Sequence, residues 1–329
     1  MTAAVVPPLA APVRHESMRD RFYRVAPSLL DTDPRVAVVL ADIGTDAFDL
    51  AAARHPGRVL NVGIREQLLI GTSAGLSLAG LRPIVHTYAP FLVERPFEQL
   101  KLDLGHNDLG AVLVSVGASF DASSSGRTHQ APEDVAILSA LPGWRVDVPG
   151  HPDEVEAMLR AAVDRADRTY LRLSELANDR AVGATVDGAV DGRMVVIRRG
   201  RDATVIAVGP ALDEVTAAVE DLDVTVLYAT TVRPFDGATL LANMPGPQLM
   251  VVEPYLEGSS ASVVSEALRF RAHRLLSIGV PLVEPRHYGE PLQHLVAYGL
   301  DALSLGRRIR AFLDHPESRP TEIAQPASA

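Results

Sequence analysis

Four short stretches concentrate the residue types that do chemistry: ADIGTD (Ala41–Asp46), GIREQ (Gly63–Gln67), YAPF (Tyr88–Phe91) and GRTHQ (Gly126–Gln130). The acid of the second, Glu66, opens a run in which Gly71, Ala74, Gly75 and Ala79 recur at three- and four-residue steps. A helix built that way has one face almost without side chains, so another backbone approaches closely, at a cost of roughly 1 kcal/mol per interior glycine. Glu66 then sits in the first turn of a buried helix. The helix N-terminus favours its charge and desolvation penalises it, so it needs a partner. Arg65, a distant arginine, or a nitrogen base on a ligand all meet that need. His129, in the fourth stretch, brings a group that exchanges a proton near neutral pH.

Bulk properties narrow the classes. A length of 329 residues predicts two domains, each with its own core. The formal net charge of −10 argues against a nucleic-acid surface and predicts a soluble cytoplasmic protein. Without cysteine there is no disulfide, thiolate metal site or cysteine nucleophile, and the 10 histidines show no HxH or HExxH spacing, so no metal site is expected. The longest apolar stretch, Leu68–Leu81, is interrupted by Thr72, Ser73 and Ser77 and is too short to span a bilayer. No GxGxxG follows a strand, and neither GxxxxGK[ST] nor GxSxG occurs, so dinucleotide, P-loop and serine-hydrolase chemistry lack support.

The elements that must position these stretches alternate. Continuous apolar runs of strand length, Arg35–Leu40, Arg82–Tyr88, Ala111–Val116 and Ala203–Val208, predict strands covered on both faces. Further strands are expected at 58–62, 145–148, 169–173, 224–228, 248–252 and 280–283. Helices are expected at 17–30 with a break at Pro27, and at 48–54, 91–104, 132–140, 152–164, 213–221, 260–272 and 303–312. The fold class is therefore α/β: two consecutive domains, each a mostly parallel sheet flanked by helices. Residues 1–16 read as a disordered arm, 17–177 as the first domain, 178–194 as a linker, 195–314 as the second domain and 315–329 as a disordered tail. All four stretches fall at predicted strand ends, where open α/β sheets bind ligands. The loop Gly117–Gln130 is long enough to be functional.

The order ADIGTD, NVGIREQ, HTYAPFLVERPFEQLK, GRTHQAPEDVAILSALPGWRVDVPG, YLRLSE resembles the pyrimidine-binding domain of the transketolase family. VVEPYLEGSSASVVSEAL and HYGEPLQHLVAYGL resemble that family's C-terminal domain, and the likeness covers about residues 17–314. The family's preceding domain carries a GDG element that holds Mg²⁺ and the diphosphate of thiamine diphosphate, and this sequence has no GDG. The resemblance thus implies the β half of a split transketolase. A separate α-type subunit would hold the Mg²⁺-diphosphate end in an α₂β₂ assembly.

Residue by residue, the resemblance implies that Glu66 hydrogen-bonds N1′ of the cofactor's aminopyrimidine and that Phe91 stacks on the ring, with Phe97 a second aromatic. It places Asp42 near the thiazolium, Ile64 at the cofactor, and His129 beside the cofactor's amino group and the donor. Arg19, Arg127 and Ser125 fall among substrate-side positions. Several positions depart from the family pattern. Glu175 stands where an arginine holds the sugar phosphate, Asp46 replaces a serine, Gly117 a histidine, and Ser125 an acid that reads a substrate hydroxyl. An anion facing two carboxylates is repelled. These departures imply transfer of a two-carbon ketol unit from a ketose donor to an acceptor other than a standard aldose phosphate, unless Arg127 or the partner supplies charge. Decarboxylation of a 2-oxo acid with acyl transfer, and a non-catalytic supporting subunit, are the alternatives.

Overall fold

The computed structural model describes residues 16–182 and 191–315, so nearly all of the expected arm and tail, and 183–190 of the expected linker, lie outside the described residues. The first part of the chain forms strands β1 (Val36–Leu40), β2 (Val59–Asn61), β3 (Arg82–Tyr88), β4 (Ala111–Val116), β5 (Trp144–Asp147) and β6 (Arg168–Arg172). The second forms β7 (Val195–Arg198), β8 (Ala203–Val208), β9 (Val224–Ala229), β10 (Thr231–Arg233), β11 (Gln248–Leu256) and β12 (Arg274–Val280). The order in the first sheet is β10-β5-β6-β4-β3-β1-β2, parallel except for β10. The second runs β12-β11-β8-β9-β7, parallel except for the edge strand β7. Two consecutive α/β domains are present as expected. The apolar runs that predicted β1, β4 and β8 are buried along their whole length.

Helices cover both faces. On one side of the first sheet lie α1 (Met18–Thr32) and, after α2 (Asp49–Arg54) and α3 (Glu66–Leu78) in the chain, α7 (Pro152–Asp164). The other side carries α3, α4 (Ala89–Val93), α5 (Phe97–Gln99, continuing as a wide π-helical turn over Leu100–His106) and α6 (Asp134–Leu138). In the second unit, α8 (Leu212–Ala218) and α12 (Ala302–Asp314) share one face, while α9 (Gly237–Asn243) and α10 (Ala261–Ala267) take the opposite one. The remaining helix is α11 (Pro291–Ala297).

Three local expectations change. Helix α1 runs through Pro27 to Thr32. Burial of Phe22, Val25, Ala26, Leu29 and Leu30 on that one helix outweighs the ~3 kcal/mol an interior proline costs. The helix expected at 91–104 is two: α4 begins earlier, with Pro90 in its first turn, and ends at Val93. Pro96 lacks an N–H and disfavours helical geometry at Arg95, so the chain restarts at Phe97. The strand expected at 280–283 is instead Arg274–Val280, stopped by Pro281. Sequence reading also missed β7, β10, α9 and α11, which are short.

Strand β10 belongs to the second unit by sequence but completes the first sheet, pairing Thr231 with Asp147 and Arg233 with Val146. Buried polar groups secure it. The Thr231 hydroxyl donates to Asp147 Oδ1 at 2.7 Å and accepts from Arg145 Nη2 at 2.9 Å, while Arg145 Nε donates to Asp147 Oδ2 at 2.9 Å. Tyr228 on β9 donates to Glu154 of α7 at 2.7 Å. One buried apolar cluster includes Leu69, Val85 and Leu113 together with Ile206, Leu227 and Leu249, so the units share a core.

Candidate cofactor and substrate site

Glu66, Phe91 and His129 follow β2, β3 and β4 and gather at the carboxyl edge of the first sheet. The Asn61 side chain connects two of the approaches: its Oδ1 accepts from the Asp42 N–H at 3.0 Å and from the Gly63 N–H at 2.9 Å. Gly63 turns with φ +70°, and the chain then enters α3 at Glu66. Glu66 is 3% exposed. Its Oε1 accepts from Arg95 Nη1 at 2.8 Å, so among the partners open to it from the sequence, a distant arginine takes the place. That arginine also lies over the Phe91 ring, its Cζ 3.9 Å from the centroid. Gln67 Nε2 donates to the Arg95 carbonyl at 3.2 Å and ties this segment to α3.

His129 stands edge-on to the same aromatic group. Its ring centroid is 5.0 Å from Phe91 and 5.3 Å from Tyr88, with interplanar angles of 72° and 79°. Burial, and then the nearby Arg95 charge, lower its pKa from the ordinary imidazole value, so it is neutral at pH 7. Arg19 closes the row from the other side. Its Nη2 donates to the Tyr88 hydroxyl at 3.2 Å and its Cζ lies 5.5 Å from the Tyr88 centroid. Glu66, Arg95, Phe91, His129, Tyr88 and Arg19 thus form one contiguous string. Arg95 and Tyr88 were not singled out from sequence, although both lie inside HTYAPFLVERPFEQLK; only the fold shows where they point.

Beyond Tyr88 is a cavity of about 330 Å³ lined by Ser17, Arg19, Asp20, Gly117, Ser174 and Glu175, among others. Burial works against the Arg19 charge, but the Tyr88 hydroxyl and the Glu175 carboxylate outweigh it and raise its pKa. Asp121, also missed from sequence, anchors the Glu175 side. It is 5% exposed, accepts from the Glu175 N–H at 2.9 Å and from the Ser174 hydroxyl at 3.3 Å, and burial pushes it up to about 7.

Other sequence candidates lie apart from the string. Asp42 is exposed in the left-handed region at φ 71°, its carboxylate 3.5 Å from Asn61 Nδ2. Ile64 is 68% exposed beside the start of α3. Phe97 packs on the core and lines an open groove with Glu94, Arg127 and Glu133. Arg127 donates to Glu133 at 3.0 Å and Glu284 at 3.1 Å and does not line the Arg19 cavity. Ser125 is exposed. The loop bearing His129 is clamped by the second unit, through Ser123 Oγ to the Gly289 carbonyl at 2.6 Å and Gln130 Nε2 to the His287 carbonyl at 3.2 Å.

The donor set suits the flat end of a thiamine-type cofactor. A buried carboxylate acceptor adjoins an aromatic face that already receives a planar cation. Among the described residues no group of three or more His, Asp or Glu converges as a metal site. No described helix is long and apolar enough to cross a membrane.

The buried acid, the aromatic ring and the histidine lie at the carboxyl edge of the first sheet of a two-domain α/β chain, where open α/β sheets bind ligands. The profile of the transketolase pyrimidine-binding domain matches residues 15–179, and that of the transketolase C-terminal domain matches 192–304. The chain belongs to the transketolase family. A 33.6 kDa protein of the fasciation locus of Rhodococcoides fascians is 47% identical over 91% of this chain and 96% of its own length. The 1-deoxy-D-xylulose-5-phosphate synthase of Thioalkalivibrio sulfidiphilus is 30% identical over 88% of this chain, which spans only 46% of that enzyme. Among solved structures, a split-gene transketolase described as an inactive β4 tetramer superposes with a TM-score of 0.77 at 25% identity, covering 90% of this chain and 98% of that one.

Proposed function

We propose that this chain is the β-type subunit of a cytoplasmic, thiamine diphosphate-dependent transketolase-like enzyme. It transfers a two-carbon ketol unit and is active only with a separate α-type subunit, in an α₂β₂ assembly. The observation that carries this reading is Glu66, buried at the start of α3 and reached over the face of Phe91, with His129 5.0 Å from that ring. Glu66 and Phe91 would hold the aminopyrimidine, Glu66 by sharing a proton at ring N1′. Ile64 and Asp42 would flank the cofactor. When bound, the cofactor supplies the nucleophilic carbon for making and breaking carbon–carbon bonds. His129, neutral at pH 7, would accept and return a proton at the donor's oxygens. The partner would hold Mg²⁺ and the diphosphate, since this sequence has no GDG element.

The acceptor would enter the cavity between Arg19 and Glu175. A single arginine, bonded to Tyr88 and set against the Glu175 carboxylate, disfavours a dianionic phosphate. Arg127 is engaged elsewhere. The acceptor would then not be a standard aldose phosphate, unless the partner supplies the missing charge.

The test is co-purification with an α-type subunit, thiamine diphosphate binding by the pair, and a donor and acceptor screen. Ketol transfer from a ketose with uncharged aldehydes preferred is the expected result. Decarboxylation of a 2-oxo acid as the sole activity would replace the ketol-transfer assignment. Ordinary affinity for xylulose 5-phosphate and ribose 5-phosphate would overturn the acceptor assignment.

A further inference from the structure

Arg95 makes the two contacts that the reading above reserves for the cofactor's ring. Its guanidinium bonds Glu66 at 2.8 Å and lies over Phe91 at 3.9 Å. A guanidinium is flat, delocalised and rich in N–H donors, and it stacks on aromatic faces, so it imitates a protonated aminopyrimidine in shape and charge. The buried Glu66 carboxylate needs such a substitute when no heterocycle is present, because an unpaired buried charge is strongly destabilising.

We propose that Arg95 is a placeholder for the cofactor's pyrimidine, and that cofactor loading requires its side chain to swing off Glu66 and Phe91. This rests on the assignment of the site as the pyrimidine half of a thiamine diphosphate cleft.

The local structure suits such a movement. The Arg95 side chain is 42% exposed while that of Glu66 is 4% exposed, so the arginine has water to move into and the acid does not. Its carbonyl is held by Gln67 and its neighbour Pro96 interrupts the helix, so the backbone stays in place while the side chain rotates. Each contact the arginine keeps is one the cofactor must displace. The apparent affinity for the cofactor is then the intrinsic affinity scaled by the fraction of open molecules.

The experiment measures thiamine diphosphate and Mg²⁺ binding to the assembled α–β complex, without substrate, by calorimetry for affinity and stopped-flow for association rate. R95M, which keeps length but removes the fork of donors, is expected to tighten binding about three- to tenfold and to speed association by a similar factor. R95K, which keeps charge but not the flat stacking surface, falls between R95M and wild type and covers the case in which R95M fails to assemble. Binding to wild type with unchanged or weaker affinity in the folded, assembled variants overturns the placeholder role alone. No binding to the wild-type complex overturns the cofactor reading, and the placeholder with it.

Discussion

Tyr88 fills the space that a side chain at position 117 would enter: a Cβ built on Gly117 would lie 2.4 Å from Tyr88 Cδ1. Gly117 also holds φ +70°, a conformation that side chains rarely adopt. Tyr88 in turn receives the Arg19 hydrogen bond and stands against His129, so this glycine sets the position of the ring that joins them. G117A is expected to cost about 2 kcal/mol or more from strain and overlap combined. Y88A/G117A should lose less than the sum of the two single changes, since the overlap is then gone while the backbone strain remains. Denaturant midpoints of the four proteins check this; strict additivity would show that Tyr88 already yields without cost.

The β10 crossing makes the two units one folding body. T231V removes a hydroxyl that both donates to Asp147 and accepts from Arg145, and D147A strips a carboxylate from Arg145 and Arg165. D147A is expected to destabilise by about 3 kcal/mol or more, because it leaves buried positive charge uncompensated, and T231V by about 1–3 kcal/mol. Equilibrium unfolding by near-UV signal from Trp144, at the start of β5, reads both. Losses below half a kcal/mol would mean that the crossing is held by apolar packing alone.

Asp121 imposes a pH dependence of definite sign. Burial raises its folded pKa to about 7 from the ordinary aspartate value of 3.8, so the folded protein prefers the protonated acid. Its contribution is complete below pH 3.8 and is lost as pH rises towards 7, amounting to a loss on the order of 4 kcal/mol. Glu253, pushed up to about 7 by burial, acts in the same direction. D121N is expected to flatten part of the stability loss between pH 4 and 7 while retaining the Glu253 share. Superimposable stability–pH curves for wild type and D121N would remove Asp121 from this account.

Glu66 separates scaffold from catalyst. E66A in the purified pair is expected to abolish turnover and leave assembly intact, because the change frees a half-exposed arginine and buries no new charge. Size-exclusion chromatography and a turnover assay on the same sample decide it. Undiminished turnover would favour a supporting subunit without chemistry.

Local order was legible because it depends on neighbouring residues. Continuous apolar runs marked β1, β3, β4 and β8, and the glycine and alanine steps marked α3 with Glu66 in its first turn. The quoted motifs also contained every member of the site string except Arg19, which α1 brings in from outside them. Strand β10 escaped because it is defined by its pairing with β5 in the other unit's sheet, which no local pattern announces.

What only the tertiary structure decided is who meets whom. Glu66 and Arg95 are separated by 29 residues, and Arg19 and Tyr88 by 69. The first pair meets because α3 and the turn between α4 and α5 lie together on one face, the second because α1 reaches the carboxyl end of β3 from the other side. Strand order and crossover direction set those meetings, and no residue type announces them. A buried acid at position 66 follows from local pattern; that an arginine takes the contacts suited to a heterocycle follows from how the sheet is wound.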